Sequence, residues 1–116
     1  MTIKRLHAGP RMSQVVIHNG VAYLAGQVAQ DPDKDVTEQT RQVLASIDSL
    51  LAEAGSDKTR ILSATIYLAD MAAFGAMNAV WDAWVPSGST PARATVEASL
   101  ATEKYQVEIM VTAAAG

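Results

Sequence analysis

The chain has 116 residues, a net charge of −3, 49% hydrophobic and 18% charged residues, a balance that predicts one globular domain spanning residues 1–116. No cysteine is present, which excludes a disulfide, a thiolate nucleophile and a cysteine metal site. The basic residues are scattered and there is a single phenylalanine, so no nucleic-acid partner is expected, because such modules rest on clustered phosphate contacts.

The opening MTIKRLHAGP carries Lys4 and Arg5 with no apolar run behind them, so it is not read as a signal peptide. No stretch approaches the ~20 apolar residues of a membrane span. A cytoplasmic protein with no membrane partner is the expectation. A chain of this size buries roughly 65% of its unfolded surface. That supports one core but little private depth, and a site shared between subunits is one way to gain depth.

The segments Gln14 to Ile17 and Val21 to Ala25 are rich in β-formers and flank His18-Asn19-Gly20. Asn-Gly is a strong signal for a hairpin with a type I′ turn. Asp31, Asp33 and Asp35 alternate around a turn and lack the glycine and terminal glutamate of a calcium loop. Asp35 and Glu38 form a D-x-x-E capping box. Behind it Val43, Leu44, Ile47, Leu50 and Leu51 recur at helical spacing, and Gly55 suits a helix end. A helix over 36–54 follows. Arg60 to Leu68 reads as a strand. Asp70 caps a second helix over about 71–85, with Phe74, Met77, Trp81 and Trp84 as its stripe. Pro86 to Pro91 breaks the chain. Ala92 to Ala98 and Tyr105 to Thr112 read as the last strands. The order β-β-α-β-α-β-β predicts an α+β domain with both helices on one sheet face.

The last two strands carry the candidate chemistry. Side chains alternate along a strand, so Arg93, Thr95 and Glu97 share one face, and Val107, Ile109 and Val111 share another. If the two strands pair antiparallel, burial sets the register. Val96 then joins Val107 and Ile109 under the helices, for example with Val96 opposite Val107. Arg93, Thr95, Glu97 and Glu108 fall on the helix-free face, with Arg93 diagonal to Glu108. Such a pair is ordinarily a solvated ion pair worth about 0–1 kcal/mol. A functional reading requires a second copy to cover that face, which bears Met110, Val15 or Ile17, and Val21 or Tyr23.

At these residues the chain resembles the RidA/YjgF family, once called endoribonuclease L-PSP or translation-inhibitor proteins. Pro91-Ala92-Arg93-Ala94-Thr95-Val96-Glu97, followed by Val107-Glu108-Ile109, is similar to its C-terminal signature. Ala25-Gly26-Gln27, Gln39 to Leu44, Ala54-Gly55-Ser56, Ala64 to Asp70 and Phe74-x-x-x-Asn78 resemble its earlier motifs. Arg11-x-Ser13 and Trp81-Asp82-Ala83-Trp84 resemble its short, YoaB-like branch. The resemblance implies a chorismate-mutase-like α+β fold, a homotrimer with a central barrel of sheets, and three pockets between subunits. It implies hydrolysis of 2-imino acids and their enamine tautomers (2-iminobutanoate, 2-iminopropanoate, 2-aminoacrylate) to 2-oxo acids and ammonia, with no cofactor and no metal. Arg93 matches the carboxylate anchor and Glu108 the water-positioning glutamate. Gly26, Thr95, Asn78 and Met12 match substrate-binding positions. Three matches depart from the usual pattern: Met12 replaces a tyrosine, Ala25 a serine and Thr95 a cysteine.

Elsewhere, His7 and His18 lack a second metal-type neighbour and read as surface residues. Trp81 and Trp84 read as core. Asn78 is balanced between a helix-surface residue and one supporting the site. Glu97 is left out of the site as a competitor for Arg93. Besides the deaminase, three other functions are weighed: a non-catalytic binder of small carboxylates, a ribonuclease or translation inhibitor, and a chorismate mutase. The acidic charge and the absence of a catalytic histidine pair disfavour the ribonuclease. No pocket sequence selects the mutase.

Overall fold

A computed structural model describes residues 2–116. Its strands are β1 (Lys4–Leu6), β2 (Val15–His18), β3 (Val21–Leu24), β4 (Gln27–Val28), β5 (Ile61–Leu68), β6 (Ala92–Glu97) and β7 (Val107–Ala114). The helices are α1 (Val36–Glu53) and α2 (Phe74–Trp84). The expected α+β class stands, as a mixed sheet with both helices on one face. Two short strands join the expected ones, β1 at the N-terminus and β4 after the hairpin.

Local chemistry accounts for the elements. Asn19 and Gly20 have φ of 53° and 75°, and His18 pairs with Val21 across the turn. The type I′ turn therefore forms, its twist matching that of the strands. Asp35 accepts from the Glu38 backbone N–H at 2.9 Å and starts α1, one half of the expected capping box. Asp31 accepts from the Asp33 N–H, so these aspartates are turn and cap groups. Gly55, at φ 74°, ends α1, and Ser56 N–H bonds back to the Leu51 carbonyl at 2.8 Å, a helix end that only a left-handed residue provides cheaply. Asp70 caps a 3₁₀ turn, Met71–Ala73, and α2 begins only at Phe74.

The sheet runs β1-β2-β3-β7-β5-β6, with β4 also on β7. Every pairing is antiparallel except β5 with β6. That pairing corrects the expectation that the last two strands are neighbours. β5 lies between them. The physical reason is the α2 crossover: strand, helix and strand in succession return the second strand parallel to the first.

One sheet face packs on the helices. Val15, Ala22, Leu24, Ala64, Ile66, Leu68, Val107, Ile109 and Val111 join Val43, Leu44, Ile47 and Leu51 of α1 and Met77 and Trp81 of α2 in a single buried cluster. The opposite face bears no helix. Tyr23, Met110 and Val96 stand on it, 49%, 40% and 42% exposed. Of the residues expected on this face, Val21, Tyr23 and Met110 lie there, while Val15 and Ile17 turn toward the helices and Val16 takes their place. No helix among the described residues is long and apolar enough to cross a membrane.

Gln39, on α1, is fully buried. Its Nε2 donates to the carbonyls of Pro32, Lys34 and Lys104, and its Oε1 accepts from the Gln106 N–H at 2.9 Å. It thereby ties the turn before α1 to the connection between β6 and β7. The exposed Lys104–Asp33 pair at 2.9 Å adds to the same junction. The hydrogen bond from Lys104 holds the Asp33 carboxyl below its usual range. This small contribution is therefore present at neutral pH and is lost as pH falls through that lowered value. Replacing Gln39 removes a fully buried side chain together with its part-buried hydrogen bonds, which costs more than a surface contact. Gln39→Ala is expected to lower unfolding stability by roughly 2–4 kcal/mol, read as a lower urea midpoint with an unchanged slope. A change below ~0.5 kcal/mol would show the junction is held by other groups.

Candidate functional site

Arg93, Thr95 and Glu97 pair in register with Ala64, Ile66 and Leu68 of β5. Partners across a ladder share a face, so these three side chains point toward the helices. Glu108 pairs with Tyr67 of β5 and Val28 of β4, which puts it on the helix-free face. Arg93 and Glu108 are thus on opposite faces, two strand spacings (~10 Å) apart across the sheet and three residues (~10 Å) apart along it. The expected shared face is corrected. The error follows from treating Val96 as the buried residue of its strand, whereas Ala92, Ala94 and Val96 all face away from the helices.

Two clusters result. The first surrounds Arg93 at the β6 edge. Its Nη1 donates to Asn78 Oδ1 at 2.8 Å. Its Cζ lies 5.3 Å from the Trp81 ring centroid and 5.9 Å from that of Phe74. Asn78 therefore supports the arginine. Phe74, expected in the core stripe, is 41% exposed. Thr95, two residues along, has a buried Oγ1, the one buried side-chain oxygen or nitrogen without a partner among the described residues. Glu97 does not compete for Arg93; it accepts from the Met71 N–H at 2.7 Å. The ion pairs among the described residues are His7–Glu53, Arg41–Glu38 and Lys104–Asp33. Arg93 is thus a partly buried cation held only by neutral groups.

The second cluster surrounds Glu108. The three residues between Tyr23 and Gln27 face the two between Thr112 and Ile109, so a bulge falls at Ala25–Gly26. A Cβ on Gly26 would overlap the Glu108 carboxylate. Gly26 is therefore the bare patch of backbone over which Glu108 lies. Met12, 54% exposed, is in the loop before β2. Two residues later Gln14 accepts the Ala25 N–H at 2.9 Å, which places that loop at the same end of the hairpin. His7 contacts Glu53 at 2.8 Å on the surface. Among the described residues no three His, Asp or Glu side chains gather as metal ligands.

Sequence reasoning does not single out Trp81 and Phe74 as neighbours of Arg93. Their signal was present. Phe74, Asn78 and Trp81 are four and three apart, one helix face, and the strand-helix-strand succession sets that face against β6.

A cavity of about 490 Å³ lies elsewhere, between α1 and the N-terminal strands, lined by His7, Gln14, Gln27, Gln42, Ser46 and others. It contains neither Arg93 nor Glu108.

The overlap at Gly26 makes a sharp expectation. The overlapping atoms are the end of a flexible, half-buried side chain, so Gly26→Ala should push the Glu108 carboxylate aside at a cost of about 1 kcal/mol or less. In a Glu108→Ala background the same change should cost much less. A double-mutant cycle on urea midpoints measures the coupling, and additive costs would contradict the contact.

Known proteins resemble the chain over nearly its whole length. YoaB of Escherichia coli (strain K12), a RutC family protein, is 52% identical over 114 residues, covering 98% of this chain and 99% of YoaB. The crystal structure of NMB1025 from Neisseria meningitidis, a member of the YjgF protein family, superposes with a TM-score of 0.97 at 49% identity, covering 100% of this chain and 97% of that one. A 2-iminobutanoate/2-iminopropanoate deaminase of Capra hircus is 34% identical over 110 residues, covering 90% of this chain and 80% of the deaminase. The family model "Endoribonuclease L-PSP" matches residues 2–115, and the chain accordingly belongs to that family, the RidA/YjgF proteins.

Proposed function

We propose that the protein hydrolyses small 2-imino acids to 2-oxo acids and ammonia, in a pocket formed where the Arg93 cluster of one copy meets the Glu108 cluster of another. The observation that carries this reading is the state of Arg93, a partly buried guanidinium with no carboxylate beside it. Such a cation supplies parallel N–H donors that match a ligand carboxylate. The kinship with an imine deaminase at 34% identity supports the choice of substrate class.

The separation of the two clusters supports a shared pocket. Within one chain a molecule of three or four carbons does not bridge opposite sheet faces. The exposed Tyr23, Met110 and Val96 give the helix-free face an apolar surface for a second copy to cover. A closed homotrimer, with three equivalent pockets, is the assembly proposed.

The chemistry needs little. Arg93 fixes the carboxylate and with it the adjacent C=N carbon, an entropic contribution to rate. Water adds to that carbon as Glu108 accepts its proton. The Glu108 carboxyl returns that proton to the imine nitrogen, giving a carbinolamine. The C–N bond then breaks as the hydroxyl proton passes to the nitrogen, the oxygen becomes the carbonyl of the 2-oxo acid, and ammonia leaves with both protons of the water. The Thr95 hydroxyl, without a partner among the described residues, would turn to bond the substrate beside Arg93. Gly26 lets the Glu108 carboxylate lie flat, and Met12 forms part of the wall. No metal and no cofactor enters the scheme.

A coupled assay tests the reading. A threonine or serine dehydratase generates the imine in the presence of semicarbazide. The wild-type protein should suppress semicarbazone formation. Arg93→Ala should lose at least about a hundredfold in kcat/KM, the worth of a bidentate charged contact. Glu108→Ala should lower kcat more than it raises KM. A folded protein that binds 2-oxobutanoate through Arg93 yet gives no suppression would be a carboxylate-binding protein instead.

A further inference from the structure

We propose that Trp81 is the positioning residue for Arg93, holding the guanidinium by its ring face so that the cation is kept in place without being neutralised. The proposal rests on Arg93 acting as the carboxylate anchor. An arginine at a strand edge with a glutamate four residues along on the same face would ordinarily be a candidate to pair with it. Here the Glu97 carboxylate is taken by the Met71 N–H at 2.7 Å. Asn78 occupies one N–H of the guanidinium. Asn78 is neutral, so it orients the group and leaves its charge uncompensated.

The remaining support is aromatic. Trp81 is 5% exposed, with its ring 5.3 Å from Arg93 Cζ, within the range at which a cation is attracted to a ring face. The ring is itself held. Its centroid is 5.4 Å from that of Trp84 at an interplanar angle of 48°. The Trp84 indole N–H donates to Asp48 of α1 at 2.9 Å. Phe74 flanks the guanidinium from the other end of α2 at 5.9 Å. An arginine buried against a carboxylate would be held equally well but would have no charge left for a ligand. The tryptophan face supplies the hold and keeps the charge.

The side-chain Nε–H signal of Arg93 reads this directly. In a ¹H–¹⁵N spectrum it is assigned by its disappearance in Arg93→Lys. The Trp81 ring current should shift it upfield in wild type, and the shift should collapse in Trp81→Leu and persist in part in Trp81→Phe. In the imine assay Trp81→Leu should raise KM roughly three- to thirtyfold, with kcat changed much less. A residue that only fills the core would lower the melting temperature and leave both the Nε–H shift and KM in place. Should Trp81→Leu fail to fold, ring-fluorinated tryptophan at position 81 (in a Trp84→Phe chain) keeps the shape and weakens the ring face. KM should again rise. An unmoved Nε–H signal in folded Trp81→Leu, or an unchanged KM in that variant or with the fluorinated ring, overturns the proposal. Absence of imine turnover in wild type would instead refute the hydrolytic reading, and the Nε–H shift would still decide whether Trp81 holds Arg93.

Discussion

Strand β5 lies between β6 and β7, and the disposition of the site depends on that order. Because α2 carries the chain over the sheet, β6 returns parallel to β5 and ends at the sheet edge. Parallel register then turns Arg93, Thr95 and Glu97 toward the helices. Antiparallel register on the other side of β5 turns Glu108 away from them. One strand order thus places the cation and the carboxylate on opposite faces, where they do not neutralise each other within a chain.

The electrostatics follow from this separation. A partly buried guanidinium left beside a glutamate would form an ion pair and offer little to a ligand. Glu97 is diverted to a backbone N–H, and Glu108 is on the far face over Gly26. Arg93 is left with an amide and two aromatic rings. The cost of holding a charge out of water is offset by hydrogen bonding and ring attraction rather than by an opposite charge. The buried, unpartnered Thr95 hydroxyl beside it is a second polar group with unused capacity. Such a cluster suits an anion that brings its own hydrogen-bond acceptors.

Much of the fold was legible in the residues. The Asn19-Gly20 turn, the Asp35 cap, the α1 stripe from Val43 to Leu51 and the Gly55 stop each act through local rules, and each stands in the structure. The alternation that groups Arg93 with Thr95 and Glu97 also stands, because a strand leaves no other choice. The face to which that group points was misread. Alternation fixes which residues travel together, whereas the direction depends on which strand lies alongside. Val96 is the largest apolar residue of β6 and by composition alone reads as core; it lies on the helix-free face at 42% exposure. An edge strand whose opposite face is left uncovered by its own chain breaks the rule that apolar means inward. The roles of Trp81 and Phe74 were hidden for the same reason, since a helix stripe reads as core until the strand beneath it is known.

The central claim is that Arg93 of one copy and Glu108 of another complete a single pocket, and the most direct measurement is complementation between two inactive variants. Arg93→Ala and Glu108→Ala would be unfolded together, refolded as mixed assemblies and assayed for imine hydrolysis. The account predicts recovery of up to about a quarter of wild-type activity, because random mixing rebuilds that fraction of pockets with both groups intact. Activity no higher than that of either variant alone, in assemblies shown to contain both chains, would contradict it.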